Sequence, residues 1–347
     1  MSEGKLKIIL NMDPGIDDLF NLVCLSNYVK NDKIELLACT VTLGNTSIKN
    51  AFMNTLMMLE LLKIKIPIAV HKKIAHSSEK SSDDLFGDDG SGGALNDYKT
   101  KYGKYNYYEK SFNDAPDADD LIAECIIQNP HQIILVATGP LNGISSMITT
   151  HGVEIIHKLR ELVIMGGAFN VSGNISLASE YNIWFDPASA KNVFNSCKTI
   201  TVIPLNVTDQ LKIDYVDFAK YCKFDVEQDQ DEDKTLLKNY IVMMAKHLTL
   251  GTLSYKDIST IGFKIHDAST FLYLIYPELF IFRRAYTFVE CLQESVNYGK
   301  TSIDTRLAKN IYGGNTWYAS DLNLKKAQEI FYHEIFIGVN ELKRIIQ

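Results

Sequence analysis

The amino-acid sequence predicts an α/β protein: an open, doubly wound, mainly parallel sheet with helices on both faces. Short apolar runs rich in Ile, Leu and Val alternate with segments of helical periodicity from the N-terminal end onward, as in βα units whose strands are covered on both sides. The runs also end in glycine-bearing turns, at Leu43-Gly44-Asn45, Thr138-Gly139-Pro140-Leu141-Asn142 and Met165-Gly166-Gly167, where the chain passes from strand to turn. A chain of 347 residues has room for one large domain of this kind, and a single domain over 1–347 is expected.

Residues 6–10 form a short buried-strand run, and 17–29 carry helical spacing through Leu19, Leu22, Val23, Leu25 and Tyr28. A strand follows over 34–42, a helix over 47–62 and a short strand at 68–70, just after Pro67. Between 71 and 117, Ser, Asp, Gly, Lys and Tyr replace the apolar periodicity, which predicts a polar flap or insertion rather than a simple connection. The alternation resumes with a helix over 120–127 and a strand over 132–138, then a strand at 162–165, a helix over 187–195 and a strand over 199–205. The run Gln-Asp-Gln-Asp-Glu-Asp-Lys from Gln228 to Lys234 predicts a solvated loop, because blocks of like charge stay hydrated. A helix over 236–248, an apolar segment over 268–276 and a tail of strand-like and helical pieces over 286–347 complete the chain.

Composition narrows the function. A formal net charge of −7 with a pI near 5.7 speaks against nucleic acid as partner, since phosphate contacts need clustered Lys and Arg. The opening residues reach Asp13 before a signal-peptide core of useful length, and the longest apolar stretch, 270–282, is interrupted by Pro277 and Glu278, so no membrane span is expected. Six cysteines lie far apart without a CxxC pair, which signals neither zinc nor a disulfide framework and suits reduced thiols in the cytoplasm. A small molecule is the expected partner.

The sharpest feature is Asn11-Met12-Asp13-Pro14-Gly15-Ile16-Asp17-Asp18, placed where the first strand ends and the first helix begins. Ligands of open parallel sheets bind at the carboxyl ends of strands. Asp13, Asp17 and Asp18 repel one another unless a cation sits among them, and oxygen ligands with no His or Cys nearby favour Ca²⁺ or Mg²⁺ over Zn²⁺. Taken alone, Asp17 and Asp18 also suit a helix N-terminus through its dipole. Downstream, Gly173-Asn174, Glu180-Tyr181-Asn182 and Ile265-His266-Asp267 offer further polar groups to the same pocket.

This ordered set resembles the inosine-uridine-preferring nucleoside hydrolases, nucleoside N-ribohydrolases whose signature Asp-x-Asp-Pro-Gly-x-Asp-Asp is matched from Asn11 to Asp18 in all but its first position. The resemblance runs over roughly residues 5–270 and implies a nucleoside hydrolase-like fold. It implies that Asp13, Asp18 and Asp267, with the Thr138 carbonyl, bind calcium (Ca²⁺), and that Asp13 is the base that deprotonates a water on that ion. It further implies that Asp17 and Asn45 contact the ribose diol, that Asn174 and Glu180 hold the 5′-hydroxyl, and that Asn182, Met165 and Tyr181 lie against the substrate. His266 is the candidate acid for the departing base. The expected reaction is ribonucleoside plus water to ribose plus free base, in nucleoside salvage, by a homodimer or homotetramer.

Several positions depart from the family pattern. Asn11 replaces the first Asp of the signature, Leu85-Phe86-Gly87 stands where many members have a His-Gly pair near the base, and Val207-Thr208-Asp209 carries Asp where members often have His. The polar segment over 94–116 is also longer than the family leads one to expect. A non-catalytic nucleoside or ribose binder on the same fold would cite Asn11 and Phe86. A haloacid-dehalogenase-type phosphohydrolase would need a nucleophilic Asp at position 11, and an amide cannot form the aspartyl-phosphate.

Overall fold

A computed structural model describes residues 5–74, 83–102, 111–221, 232–254, 262–306 and 314–340. Its frame is a nine-stranded sheet of order β10-β9-β11-β6-β5-β4-β1-β2-β3, and a separate pair, β7-β8. The strands are β1 (Leu6–Met12), β2 (Ile34–Val41), β3 (Ile68–Val70), β4 (Ile133–Ala137), β5 (Glu161–Met165), β6 (Ile200–Ile203), β7 (Lys212–Asp214), β8 (Gly262–Lys264), β9 (Phe280–Val289), β10 (Thr301–Asp304) and β11 (Thr316–Leu322). From β11 through β6, β5, β4, β1 and β2 to β3 every pairing is parallel, whereas β9 runs antiparallel to both β11 and β10.

Side chains that alternate along the strands divide between two cores, which is what double winding means in residues. Ile8, Leu10 and Met12 of β1, Ile134 and Val136 of β4 and Val163 of β5 enter one apolar cluster. Their neighbours Ile9, Ile133, Leu135, Ala137, Leu162 and Ile164 enter the other. The first is covered by α1 (Ile16–Lys30) and α2 (Ile48–Leu61) together with the helix Leu324–Asn340. The second is covered by the helices Ala118–Gln128, Asn142–His151 and Pro187–Ser196. Helix α1 is buried continuously from Ile16 to Asn27, enclosed on all sides although Asp17, Asp18, Asn21, Ser26 and Asn27 are polar.

The strand order reverses at the centre: β1 continues to β2 and β3 on one side and to β4, β5 and β6 on the other. The crevice above the β1/β4 boundary is the topological switch point, the place where this architecture binds ligands.

The structure differs from the sequence expectations in three places. The strand expected over 199–205 stops at Ile203 because Pro204 offers no N–H for the ladder and instead opens the one-turn helix Leu205–Thr208. The helix expected over 236–248 extends to Glu232–Ser254. Within the expected polar flap, the helices Asp83–Phe86 and Ala94–Tyr102 form, and Phe86, Ala94, Leu95 and Tyr98 are buried in the first core. Asp89 builds the connection between them by accepting from the N–H groups of Ser91, Gly93 and Asn96. Residues 75–82 and 103–110 of that segment and most of the 228–234 charge run lie outside the described residues. Among the described residues, no helix is long and apolar enough to cross a membrane.

Candidate active site

Asp13 follows β1 directly and is fully buried. The turns after β2 and β4 press on its carboxylate from both sides: a Cβ on Gly44 would lie 2.0 Å from Oδ2, and one on Gly139 2.5 Å from Oδ1. Only glycine permits both approaches. Oδ2 accepts a hydrogen bond from the Asn45 N–H at 2.7 Å, while Oδ1 has no partner. One turn on, Asp17 and Asp18 occupy the first turn of α1, where the N-cap is Gly15 and no side chain caps the helix. Asp18 Oδ1 accepts from Thr138 Oγ1 at 2.5 Å, and Asp18 Oδ2 and Asp17 Oδ1 are buried without partners.

The fourth carboxylate comes from the far end of the chain. Strand β8 pairs with β7 and leads through Ile265 to His266 and to Asp267, which precedes the helix Ala268–Ile275. Asp267 is buried and lies within hydrogen-bonding reach of Asp17. Four enclosed carboxyls raise one another's proton affinity. Burial pushes Asp13, Asp18 and Asp267 well above the usual carboxylate range, and the neighbouring carboxylates add to it; Asp17 is raised by burial but opposed by His266. Burial lowers the His266 imidazole, against the pull of Asp17 and Asp209.

The sequence-predicted substrate contacts surround this cluster. Asn182 Nδ2 donates to the Thr138 carbonyl at 2.7 Å and to the Met165 carbonyl at 3.2 Å, tying the ends of β4 and β5 together. Tyr181 Oη donates to the Gly44 carbonyl at 3.1 Å and so bridges to the turn after β2. Glu180 is the N-cap of the helix Tyr181–Phe185: Oε1 accepts from Asn182 N, and Oε2 from Gly167 N and Ile183 N. Asn174 is exposed, with Oδ1 accepting from Tyr181 N at 2.9 Å. Phe86 does reach the site's rim, since a Cβ on Gly15 would stand 3.2 Å from its ring and 2.9 Å from Asn45 Nδ2.

Sequence reasoning missed two neighbours. Thr208 Oγ1 meets His266 Nδ1 at 2.9 Å, while the adjacent Asp209 turns outward to pair with Lys264 at 2.8 Å. A hydroxyl at the end of the one-turn helix Leu205–Thr208 that follows β6 was the available signal. His247, on the helix Glu232–Ser254, packs against the Phe86-Gly87 turn, its Cε1 3.3 Å from where a Gly87 Cβ would stand. A lone His on an amphipathic helix carried no such signal.

Among the described residues, no three His, Cys, Asp or Glu side chains stand in ready-made metal-ligating geometry. The three orphaned carboxylate oxygens nonetheless form a buried acceptor set of one sign, and buried acceptors are normally satisfied.

Comparison with known proteins agrees with the architecture. The profile of the inosine-uridine preferring nucleoside hydrolases matches residues 8–329, and the chain belongs to that family. It is 27% identical to uridine nucleosidase 1 of Arabidopsis thaliana, over 90% of this chain and 85% of the relative. It is 30% identical to the pyrimidine-specific ribonucleoside hydrolase RihA of Shewanella sp. (strain MR-4), over 86% of each. Among solved structures it superposes on the plant nucleoside hydrolase PpNRh1 with a TM-score of 0.78 at 21% identity, covering 95% of this chain and 98% of that one. A purine-preferring ribonucleoside hydrolase from Gardnerella vaginalis gives 0.77 at 22% identity, covering 96% and 99%. The protein is thus a hydrolase of the N-glycosyl bond of ribonucleosides.

Proposed function

We propose that this hydrolase acts on inosine- and uridine-type ribonucleosides with Asp13 as general base, in a carboxylate cage that takes calcium. The observation that carries the reading is the trio of buried, unpartnered oxygens Asp13 Oδ1, Asp17 Oδ1 and Asp18 Oδ2, at the switch point of the sheet. Oxygen-only ligands suit a hard divalent ion. Asp13, Asp18 and Asp267 would hold it with the Thr138 carbonyl, which keeps a lone pair beyond the one given to Asn182. When bound, the ion would supply Lewis acidity and an anchor for the ribose diol.

The remaining work falls to the chain's own residues. Asp13 takes the proton of the attacking water, and its raised proton affinity suits a base. Asp17 and Asn45 bind the 2′- and 3′-hydroxyls, Asn174 and Glu180 the 5′-hydroxyl, while Asn182, Met165 and Tyr181 line the sugar. As the bond from C1′ to the base breaks, positive charge grows on the ribosyl ring, and fixed carboxylates stabilise it. His266, set by Thr208 at Nδ1, delivers a proton from Nε2 to the leaving base. Phe86 offers that base an apolar ring.

Nucleoside salvage in the cytoplasm is the setting that goes with this reading, and the thiols of Cys39, Cys125, Cys197 and Cys291 support it. A homodimer or homotetramer is the matching assembly, read out by sedimentation. The test of the site is ribose release from inosine, uridine, cytidine and their 2′-deoxy forms, with calcium or with EGTA in phosphate-free buffer. Calcium-dependent release from ribosides, with deoxyribosides poor, is expected. Release indifferent to EGTA overturns the metal.

A further inference from the structure

Beneath Asp13 runs a buried polar line that the reaction does not use. Asn11 lies two residues earlier on β1, paired with Thr40 of β2 and Ala137 of β4. Its main-chain carbonyl accepts from the N–H of Thr138 at 3.0 Å. Its side-chain Oδ1 accepts from Thr40 Oγ1 at 2.9 Å and stands 2.7 Å from His71 Nε2. His71, immediately after β3, places Nδ1 2.7 Å from Asp119 Oδ1, and both side chains are wholly inaccessible. Asp119 Oδ2 accepts in turn from Ser146 at 2.7 Å and Thr150 at 3.2 Å. The fit is close: a Cβ on Gly143 would stand 2.5 Å from the imidazole.

Such a line is costly to leave half-made, because each buried group that loses its partner keeps its desolvation penalty. Asn11 is also where the family signature has a carboxylate. A carboxylate can only accept, whereas a carboxamide can present either its oxygen or, turned over, its NH₂ to the imidazole. Asn11 therefore satisfies His71 without adding a fifth negative charge under the cluster of Asp13, Asp17, Asp18 and Asp267.

We propose that His71, anchored by Asp119, is a positioning residue that acts through Asn11 to hold the end of β1 against Thr138, and so sets Asp13 for binding a divalent cation. This rests on the metal reading above. The ring is gripped at both nitrogens. One contact reaches the Asp119 anchor on the flanking helix, and the other reaches the strand two residues before Asp13. Among the described residues Thr40 is the other side-chain partner of Asn11 and its Nδ2 is buried without one, so a single side-chain hydrogen bond would hold the amide once His71 were lost.

Two substitutions separate the two ends of the ring. In His71→Gln the amide nitrogen reaches the place of Nε2 and keeps the contact to Asn11. In His71→Asn it reaches the place of Nδ1 and keeps only the contact to Asp119. Calcium titrated calorimetrically into the EGTA-stripped full chain should bind H71N about 10- to 100-fold more weakly than wild type, the usual loss when a residue behind a ligand is removed. H71Q keeps the contact to Asn11 but gives up the Asp119 anchor, so it should lose several-fold, clearly less than H71N. In uridine hydrolysis, kcat at limiting calcium should follow the same order. Equal affinities for H71N and H71Q, alongside wild-type binding, would overturn the positioning role and leave His71 as packing. Asp119→Asn, which keeps the shape, is the second probe: calcium affinity should fall several-fold, and an unchanged affinity also overturns the proposal. A wild-type chain that binds no divalent cation overturns the metal reading itself, and the role of His71 with it.

Discussion

The two oxygens of Asp13 live in different surroundings: Oδ2 holds the Asn45 N–H, and Oδ1 is buried without a partner. A general base needs a free lone pair and a proton affinity above that of an ordinary carboxylate, and Oδ1 combines them. Asp13→Ala should lower kcat by at least about 10⁴-fold, the top of the range for loss of a base alone, because the proposed cation ligand goes with it. It should also weaken calcium binding. Near-normal turnover with calcium bound would remove Asp13 from the role. His266 is separable by leaving group. Its ring is oriented by Thr208, and burial lowers its proton affinity against the pull of Asp17 and Asp209, so the acid role would fall to the protonated fraction of the ring and should fade as pH rises. His266→Ala should cost about 10²- to 10⁴-fold on inosine, the range for loss of an acid. On p-nitrophenyl riboside, whose leaving group needs no proton, the loss should be small. Equal losses on both substrates would mean that the ring positions substrate and delivers no proton.

At the scale of elements, the five-residue helix Tyr181–Phe185 would join stability to substrate binding in the proposed site. Glu180 caps it with both oxygens while Asn182, in its first turn, ties β4 to β5. Glu180→Ala should destabilise the protein by about 1 to 2 kcal/mol through the lost cap. It should also abolish the preference for uridine over 5′-deoxyuridine. A lower melting temperature with that preference intact would make Glu180 a cap and nothing more. This helix also marks where sequence reading gives out. Strands β1, β2 and β4 were legible because their apolar runs are long enough to show, and the Asp-Pro-Gly turn after β1 advertises its own chemistry. Glu180-Tyr181-Asn182 was legible as polar groups for the pocket but not as a helix, since five residues carry no period; their particular roles came only from the family resemblance. The short β7-β8 pair that delivers Asp267 shows no pattern in three-residue strands. The buried core positions within 83–102 were missed because polar neighbours mask Phe86, Ala94, Leu95 and Tyr98. Nor does any local signal bring His71 to Asp119, whose meeting depends on β3 and the helix Ala118–Gln128 lying side by side.

For the whole molecule, the reversal of strand order at β1/β4 sets Asp13 beside Thr138, and chain closure through β8 adds Asp267 to a site begun near the N-terminal end. The fold therefore assembles like charges that repel, and its stability should report on the cation. The direction follows from proton binding. Without a metal, Asp13, Asp18 and Asp267 hold protons more tightly in the folded protein than in the unfolded chain, chiefly because they are buried and then because they face one another. Stability from this source is complete below the ordinary carboxyl value of 3.8 and is lost as pH rises through the raised folded values. A divalent cation needs the same groups ionised and displaces their protons on binding, so its stabilisation grows over that same rise. Melting temperatures measured in EGTA and in excess calcium, from about pH 5 to about pH 8, should therefore diverge as pH increases. The gap should correspond to about 2.7 kcal/mol once calcium exceeds its Kd a hundredfold. A gap independent of pH would mean that the carboxyls are already ionised in the metal-free protein. No gap at any pH would mean that the cluster is not where a cation binds.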